Sequence, residues 1–302
     1  MAYLNRLSLY FNVMYPLPKA VITAIIVFLS FFLLIAEIKG DEKIFYLESW
    51  FAIASIFLYS IIFRINDEIK DEEFDKKYNP DRPLITGAVK FSDIQILAVI
   101  LFGVITALNF NKGMVTSIFL VWIVFLTLSA RWFYFKDEVI RPNFLLTTIT
   151  HQPILPLTYL YIYSVYVYLS GGEFEFGFAL ALALLFSLTY IGWEVARKTR
   201  APEEETEYDT YSKQWGVKKS TAIPMIYIAL TTIGLVGMGV IFDFSKYFIA
   251  ANILIGALSL MVYTRFLLNP TSKNNRLRMA NELYDLGFRL LVIIEVLAGR
   301  FL

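Results

Sequence analysis

Nine long stretches of predominantly apolar residues dominate this 302-residue sequence and limit the folds open to it. A helix needs about 20 mostly apolar residues to cross the hydrocarbon core of a bilayer. Apolar residues make up 58% of the chain and charged residues 18%, against about 25% charged residues in an ordinary soluble domain. The sequence therefore predicts an all-α, polytopic membrane protein, a bundle of about nine transmembrane helices. The predicted spans are 18–36, 44–63, 94–110, 115–130, 144–169, 176–193, 222–242, 247–266 and 283–298.

The same composition excludes several classes of functional site. The chain has no Cys and a single His, His151, so disulfides, thiolate metal sites, a Cys nucleophile and multi-His metal sites are ruled out. Its formal net charge of +1 argues against nucleic acid as a partner. The polar groups left for chemistry are chiefly carboxylates, Lys and Arg. Membrane lipids are the expected surroundings, and no protein partner is indicated.

The distribution of Lys and Arg between the loops predicts how the chain is oriented. When the N-terminus and every second loop are placed on one side, that side carries 21 of the 27 basic residues and the other side 5. We therefore expect an integral protein of the bacterial cytoplasmic membrane, with a cytoplasmic N-terminus and one membrane-embedded domain over 1–302. Two acidic stretches, the first polar segment (64–93) and the second polar segment (194–221), then both face the cytoplasm.

The first polar segment concentrates carboxylates on one side of a predicted helix. If the second span continues as a helix, Asp67, Glu68, Asp71 and Asp75 fall within an arc of about 100°. Like charges at this spacing destabilise a helix, so a bound divalent cation is one interpretation. Mg²⁺ takes oxygen ligands, typically one or two carboxylates together with phosphate oxygens and waters. The other interpretation is a solvated helix of mixed charge, because Lys residues are interleaved.

The second polar segment combines acids and bases. Glu194 leaves the sixth span, with Arg197 and Lys198 one turn later. Pro202 is followed by three glutamates, 203–205, and this is also how a new helix starts, so some of these glutamates have a structural explanation. Metal-assisted diphosphate chemistry needs carboxylates for the cations and Arg or Lys for the phosphate oxygens. The second segment offers both.

The order and spacing of these residues resemble the UbiA superfamily of intramembrane prenyltransferases over essentially the whole chain. That family has nine helices, with Asp-rich motifs after helices two and six. Its first motif, N-D-x-x-D-x-x-x-D, corresponds here to Asp67-Glu68-Ile-Lys-Asp71-Glu-Glu-Phe-Asp75. Asp replaces Asn and Glu replaces the next Asp; a frame starting at Asn66 would place Lys70 at an acidic position. Arg82-Pro83-Leu84 and Gly87 match the residues that follow in the family.

The second motif departs further from the family pattern. Glu194, Arg197-Lys198, the 203–205 glutamates, Asp209 and Gly216 approximate it, without the usual Asp-x-x-x-Asp. Lys136, after the fourth span, resembles a basic residue that approaches the diphosphate in this family. The departure points to a divergent subgroup.

The resemblance implies Mg²⁺-dependent transfer of a prenyl group from a prenyl diphosphate to an aromatic or lipid acceptor. It implies one metal at Glu68, Asp71 and Asp75, assisted by Asp67. A second metal would use Glu194 together with Glu205 or Asp209. Arg82, Lys136, Arg197 and Lys198 are the candidates to bind the diphosphate, the last three as catalytic residues.

Two other functions stay open from the sequence. A membrane transporter also carries intramembrane charges and related halves, although its polar residues usually lie near the bilayer midplane. Here the acids gather at one predicted membrane face. An altered second motif is also compatible with a catalytically inactive member of the family.

Two patterns inside the predicted spans have alternative explanations as well. Tyr159, Tyr163 and Tyr166 form a stripe in the fifth span that suits either packing or contact with a carbocation. Glu282, Asp285 and Arg289 near the start of the ninth span suit either an ion pair or catalysis.

Overall fold

The computed structural model describes residues 2–140, 143–206 and 210–301, with the backbone alone at 128–138, 140, 144, 147, 148 and 301. Within these ranges the regular structure is entirely helical, which confirms the all-α prediction. Short 3₁₀ turns occur at Pro202–Glu204 and Ser272–Asn274. The α-helices are α1 (Tyr3–Met14), α2 (Leu17–Lys39), α3 (Ser49–Lys70), α4 (Glu72–Tyr78), α5 (Phe91–Asn109), α6 (Met114–Ile140), α7 (Phe144–His151), α8 (Ile154–Ser170), α9 (Phe176–Arg197), α10 (Tyr211–Trp215), α11 (Val217–Ile241), α12 (Lys246–Leu268) and α13 (Leu277–Phe301).

Six of the described helices are long and apolar enough to cross a membrane. They are α2, α3, α5, α9, α11 and α12, and they coincide with the predicted spans one, two, three, six, seven and eight. A shorter apolar stretch, Met114–Thr127 in α6, occupies most of predicted span four. The chain is therefore built on membrane-spanning helices, while the count of nine stays a prediction.

The two remaining predicted spans differ from simple apolar helices. The sequence predicts one helix over 144–169, whereas the structure has two, α7 and α8, separated at Gln152 and Pro153. Proline lacks the amide proton that a continuous helix requires and disfavours helical geometry in the preceding residue, which explains the break. Predicted span nine lies in α13 and carries three charged residues, Asp285, Arg289 and Glu295.

The helices group into two compact units. The first unit comprises Met1–Leu29 and Phe45–Phe174, and the second unit comprises Ser30–Ile44 and Glu175–Leu302.

The interior of the first unit pairs aromatic stacking with satisfied polar groups. The rings of Tyr59 and Trp122 stack at 3.6 Å, and Trp122 stacks on Tyr161 at 5.0 Å. The Tyr161 hydroxyl donates to Asn109 Oδ1 at 2.7 Å, and Asn109 Nδ2 donates to Ser55 Oγ at 2.9 Å. Without water in a bilayer, such paired polar groups hold helices together.

The second unit relies on small residues for close helix packing. A Cβ atom on Gly256 of α12 would lie 2.5 Å from Thr232 Oγ1 of α11. A Cβ on Gly234 of α11 would lie 2.7 Å from Leu185 Cδ1 of α9. Small residues at helix contacts let backbones approach, the usual packing device of membrane helices.

Candidate functional site

The carboxylates of the first polar segment keep near-helical spacing through a break in the helix. The second span continues as a helix into the segment, and α3 ends at Lys70. Asp71 has φ −93° and ψ 10° and separates α3 from α4. The hydrogen bonds nevertheless run on, from Asp71 N to Asp67 O at 2.9 Å and from Asp75 N to Asp71 O at 2.8 Å. The stripe predicted from the sequence is therefore preserved.

Two of these carboxylates are buried. Glu68 and Asp75 are each only 3% exposed. Arg82 Nη1 lies 3.6 Å from Glu68 Oε2 and forms a short ion pair with Asp75 Oδ2. Arg64 forms a second ion pair with Glu68, and Asn79 Nδ2 donates to Asp75 Oδ1 at 2.7 Å. Buried carboxylates need such partners, because an unpaired buried charge is strongly destabilising.

The other two carboxylates are partly exposed. The side chain of Asp67 is 28% exposed and that of Asp71 is 39% exposed. Lys70 Nζ lies 2.7 Å from Asp67 Oδ1 and 4.0 Å from Asp71 Oδ1. The stripe thus divides into a buried pair held by arginines and an exposed pair beside a lysine.

Arg82 reaches the buried pair from a hydrogen-bonded turn between α4 and α5. Its carbonyl accepts from Ile85 N and Thr86 N, both at 2.9 Å, and its amide donates to Asn79 O at 3.2 Å. Gly87 has φ +77°, a left-handed conformation that glycine adopts without a Cβ penalty. The turn thus fixes the backbone from which Arg82 reaches the buried pair.

The exposed pair has the donor chemistry of a magnesium site. Within the described parts of the chain, no three His, Asp or Glu side chains converge closely enough to hold a metal ion. Mg²⁺ does not require three, because it binds through one or two carboxylates and completes its shell with waters and substrate phosphates. Two neighbouring, solvent-accessible carboxylates such as Asp67 and Asp71 fit that requirement.

In the second polar segment, Glu194 is engaged by the two predicted bases. Arg197 donates from Nε and Nη2 to Glu194 at 2.6 and 2.9 Å, and Lys198 Nζ lies 3.3 Å from the same carboxylate. All three residues sit at the end of α9, where helical spacing brings i, i+3 and i+4 together. The Arg197 guanidinium also lies 5.2 Å from the centre of the Trp193 ring. The structure therefore brings these three predicted site residues into one cluster.

The 203–205 glutamates hold the local fold. Glu203 Oε1 accepts from Ser272 N at 2.7 Å, and this hydrogen bond lowers the pKa of Glu203 below its ordinary value. Glu204 Oε2 accepts from Ala201 N at 2.9 Å and from Asn275 Nδ2 at 2.5 Å. The helix start expected at Pro202 is a single 3₁₀ turn.

Glu205 is held by hydroxyl groups. Thr210 Oγ1 donates at 2.7 Å to one oxygen of Glu205, and Ser212 Oγ donates at 2.6 Å to the other. Two further predicted site residues have no described side chain. Asp209 lies outside the described residues, and so does the side chain of Lys136 in α6.

Several ion-pair and hydrogen-bond partners of the site carboxylates were not predicted from the sequence, although the position of one of them carried a signal. Arg64 stands four residues before Glu68, a spacing that favours an ion pair on a helix. Nothing in the sequence linked Ser272 or Asn275 to the 203–205 glutamates, which are about 70 positions earlier.

Of the two patterns inside the predicted spans, the tyrosine stripe is buried, whereas in the charged pattern Arg289 is buried and Glu282 is exposed. Tyr159, Tyr163 and Tyr166 are at most 4% exposed within α8. Arg289 donates to Asp285 from Nε at 2.9 Å and from Nη2 at 2.8 Å, while Thr189 Oγ1 donates to Asp285 at 2.5 Å. The ion-pair interpretation of α13 agrees with these contacts.

Comparisons with known proteins cover almost the whole chain. The sequence profile of the UbiA prenyltransferase family matches residues 20–288. A chain from structural work on digeranylgeranylglyceryl phosphate synthase in membranes is 17% identical, with 97% of this chain and 99% of that chain covered and a TM-score of 0.64. The apo structure of a UbiA homolog from Aeropyrum pernix K1 is 13% identical, with 91% and 97% covered and a TM-score of 0.63. A comparison with curated proteins found no match. At these identities the solved structures show the same fold and no more.

Proposed function

Because this chain belongs to the UbiA prenyltransferase family, an integral membrane family, we propose that it transfers a prenyl group from a prenyl diphosphate to an aromatic or lipid acceptor. The single observation that carries the proposal is the match of the family profile over residues 20–288. The carboxylate stripe at 67–75 supports it, because a diphosphate leaving group carries several negative charges that a carboxylate-bound cation can neutralise.

The first polar segment is the proposed magnesium site. Asp67 and Asp71 supply ligands in this proposal, since their side chains are 28% and 39% exposed. Glu68 and Asp75 form the buried part of the same site, where Arg64 and Arg82 neutralise their negative charges. A bound Mg²⁺ would stabilise the charge that develops on the diphosphate as its bond to the prenyl carbon breaks.

The buried carboxylates and Arg82 hold this site in shape. Arg82 bridges Glu68 and Asp75, so α3, α4 and the following turn share one ion-pair network. Rigid support of this kind preserves ligand geometry, and loss of an outer partner typically weakens metal binding about 10- to 100-fold. The side chain of Arg82 is 33% exposed. In this proposal it therefore also contacts a phosphate oxygen of the substrate.

The second polar segment is the proposed site of a further metal and of phosphate contacts. Arg197 and Lys198 pair with Glu194 in this structure and are the proposed diphosphate-binding bases. Glu194 and Asp209 are the proposed acids. Glu205 is the weaker candidate, because both of its oxygens accept hydrogen bonds from Thr210 and Ser212. Lys136 keeps its proposed role near the diphosphate on the resemblance alone.

Topology completes the proposal. We place nine spans in a bacterial cytoplasmic membrane, with the N-terminus and both polar segments in the cytoplasm, as a single domain over 1–302. The support is the distribution of basic residues between loops, 21 against 5. Prenyl diphosphates are charged, water-facing head groups on lipid tails, so a cytoplasmic carboxylate site next to apolar helices suits them.

The direct test is product formation. Purified protein is incubated with an isotope-labelled prenyl diphosphate, Mg²⁺ and a membrane lipid extract, and the labelled lipid product is identified by mass spectrometry. We expect a labelled product from the native protein and from Glu173→Gln, a control at an exposed loop residue, and loss of product from Asp71→Asn. Uptake of label into sealed vesicles without product would identify a carrier, and neither uptake nor product would indicate an inactive homologue. Lipids lost on gene deletion would identify the acceptor.

A further inference from the structure

Helix α1 is fixed against the end of α3 that carries the first polar segment. Leu7 and Tyr10 of α1 are buried in one apolar cluster with Ile61 and Ile65 of α3. At its other face, α1 is anchored to the start of α5, where Arg6 donates to both carboxylate oxygens of Asp93 at 2.6 and 2.8 Å. The Tyr3 hydroxyl adds a hydrogen bond to Asp93 O at 3.2 Å.

The Tyr10 side chain lies on the face of α3 that carries Arg64 and Glu68. Positions 61, 64, 65 and 68 are spaced i, i+3, i+4 and i+7, which places them on one helix face. The Tyr10 ring is buried in one cluster with Ile61 and Ile65 of that face. Burial raises the pKa of Tyr10, and the charge of Glu68 raises it further while Arg64 lowers it, in keeping with their proximity.

Three buried polar atoms at this place make no hydrogen bond. Among the described residues, Tyr10 Oη, Arg64 Nε and Glu68 Oε1 belong to a set of seven buried side-chain atoms with no hydrogen-bond partner. Glu68 Oε1 is the oxygen that contacts Arg64 Nη2 in their ion pair, so of the three it is the Tyr10 hydroxyl and Arg64 Nε that have no partner. A buried polar group that is truly unpaired destabilises the fold. Two such atoms beside one buried ion pair call for an explanation.

The three atoms are chemically complementary to one water molecule. Arg64 Nε is a donor, Glu68 Oε1 has a second lone pair besides the one in its ion pair, and the Tyr10 hydroxyl can donate or accept. A buried water typically makes about three hydrogen bonds to otherwise unsatisfied polar groups. It would accept from Arg64, donate to Glu68 and exchange a hydrogen bond with Tyr10.

We propose that a buried water molecule joins Tyr10, Arg64 and Glu68, and that Tyr10 is thereby a positioning residue for the carboxylates of the first polar segment. The positioning role rests on the function proposed above, whereas the water bridge does not. Glu68 is linked through Arg82 to Asp75, so the bridge connects α1 to the buried half of the stripe. Helix α1 then stabilises the orientation of the whole cluster.

The sign of the stability change in Tyr10→Phe tests the bridge. An unpaired hydroxyl in an apolar site is destabilising, so its removal would raise the melting temperature of the purified protein. A hydroxyl that is hydrogen-bonded to a buried water stabilises the fold, so we expect Tyr10→Phe to lower the melting temperature. Tyr15→Phe is the matched control, because the Tyr15 hydroxyl donates directly to Ser60 Oγ at 2.8 Å and serves no bridge.

A double-mutant cycle tests whether the same water also contacts Arg64. Arg64→Lys keeps the positive charge and removes Nε. We expect the double variant to lower the melting temperature by less than the sum of the decreases in Tyr10→Phe and Arg64→Lys alone, because either single change already breaks the shared network. Tyr15→Phe and Arg64→Lys should be additive. A higher melting temperature for Tyr10→Phe, or additivity of Tyr10→Phe with Arg64→Lys, would overturn the bridge.

Metal affinity tests the positioning role separately. Mn²⁺, a spectroscopic substitute for Mg²⁺, is titrated onto the protein with inorganic pyrophosphate and followed by electron paramagnetic resonance. We expect Tyr10→Phe to weaken Mn²⁺ binding by about tenfold, as for other outer-shell partners, and Tyr15→Phe to leave it unchanged. Unchanged binding in Tyr10→Phe would overturn the positioning role. A native protein that binds no Mn²⁺ would overturn the proposed metal site, and a coupled cycle would still support the bridge.

Discussion

Arg82 lies between two buried carboxylates, with its Nη1 atom 3.6 Å from Glu68 Oε2 and in a short ion pair with Asp75 Oδ2. This relationship divides a stripe of four acids into two kinds. Glu68 and Asp75 are buried, and arginines neutralise their charges. The side chains of Asp67 and Asp71 are partly exposed to solvent. Substitutions of the buried acids and of the partly exposed acids should therefore differ in their effects on turnover and on stability.

Asp71→Asn and Asp75→Asn should separate activity from stability. The side chain of Asp71 is partly exposed, so Asp71→Asn should reduce turnover by orders of magnitude with little change in melting temperature. Asp75→Asn should lower turnover and also destabilise the protein by about 1–3 kcal/mol, because a buried ion pair loses its charge. Labelled product and thermal unfolding are measured on both, with Glu173→Gln as control. Normal turnover in both variants would contradict a metal site at residues 67–75 and favour the interpretation as a solvated helix of mixed charge.

Gly256→Ala should destabilise the second unit, whereas Gly237→Ala should not. A methyl group on Gly256 would approach Thr232 Oγ1 to 2.5 Å and disturb its 2.7 Å hydrogen bond with the Tyr284 hydroxyl. Gly237 lies in α11, and a methyl group there would have no neighbouring atom within 4 Å, so alanine should be neutral or favourable by up to about 1 kcal/mol. The melting temperatures of the two variants decide this. Equal melting temperatures would contradict close packing at Gly256.

The hydrogen bond from Ser272 N to Glu203 predicts a pH-dependent contribution to stability. This bond lowers the pKa of Glu203 from its ordinary value of 4.5. A carboxylate with a lowered pKa contributes stability that is present above its ordinary pKa and lost as the pH falls through its folded pKa. The melting temperatures of native protein and Glu203→Gln should therefore differ at pH 7 and converge as the pH falls below the folded pKa. A difference that persists at low pH would show that charge on Glu203 is not the cause.

Single cysteines should report the proposed orientation. The native chain has no Cys, so labelling has no background. Cysteines at Asn79 and Thr206 should react with an impermeant thiol reagent only after cells are permeabilised, because both polar segments are assigned to the cytoplasm. A cysteine at Gly172 should react in intact cells. If positions 79 and 206 label from opposite sides, the assigned topology is wrong.

The sequence determined the class of protein and the local pattern of its first acidic stripe. Apolar stretches of membrane-spanning length predict helices wherever they occur, because a bilayer leaves the backbone no other partner for its polar groups. The spacing of Asp67, Glu68, Asp71 and Asp75 likewise predicted one helix face, since helical periodicity is a property of neighbouring residues. The break at Pro153 was also encoded locally, although a continuous helix was predicted there.

Tertiary structure alone decided which side chains of these motifs are buried and what they contact. Asp71 and Asp75 belong to one stripe, yet the turn that follows α4 brings Arg82 and Asn79 onto Asp75, whereas the side chain of Asp71 stays 39% exposed. The 203–205 glutamates, candidates for metal binding from the sequence, are held by Ser272 and Asn275 about 70 positions later. Burial and hydrogen bonding between distant residues depend on how helices pack, and a single sequence carries no periodic signal for such contacts.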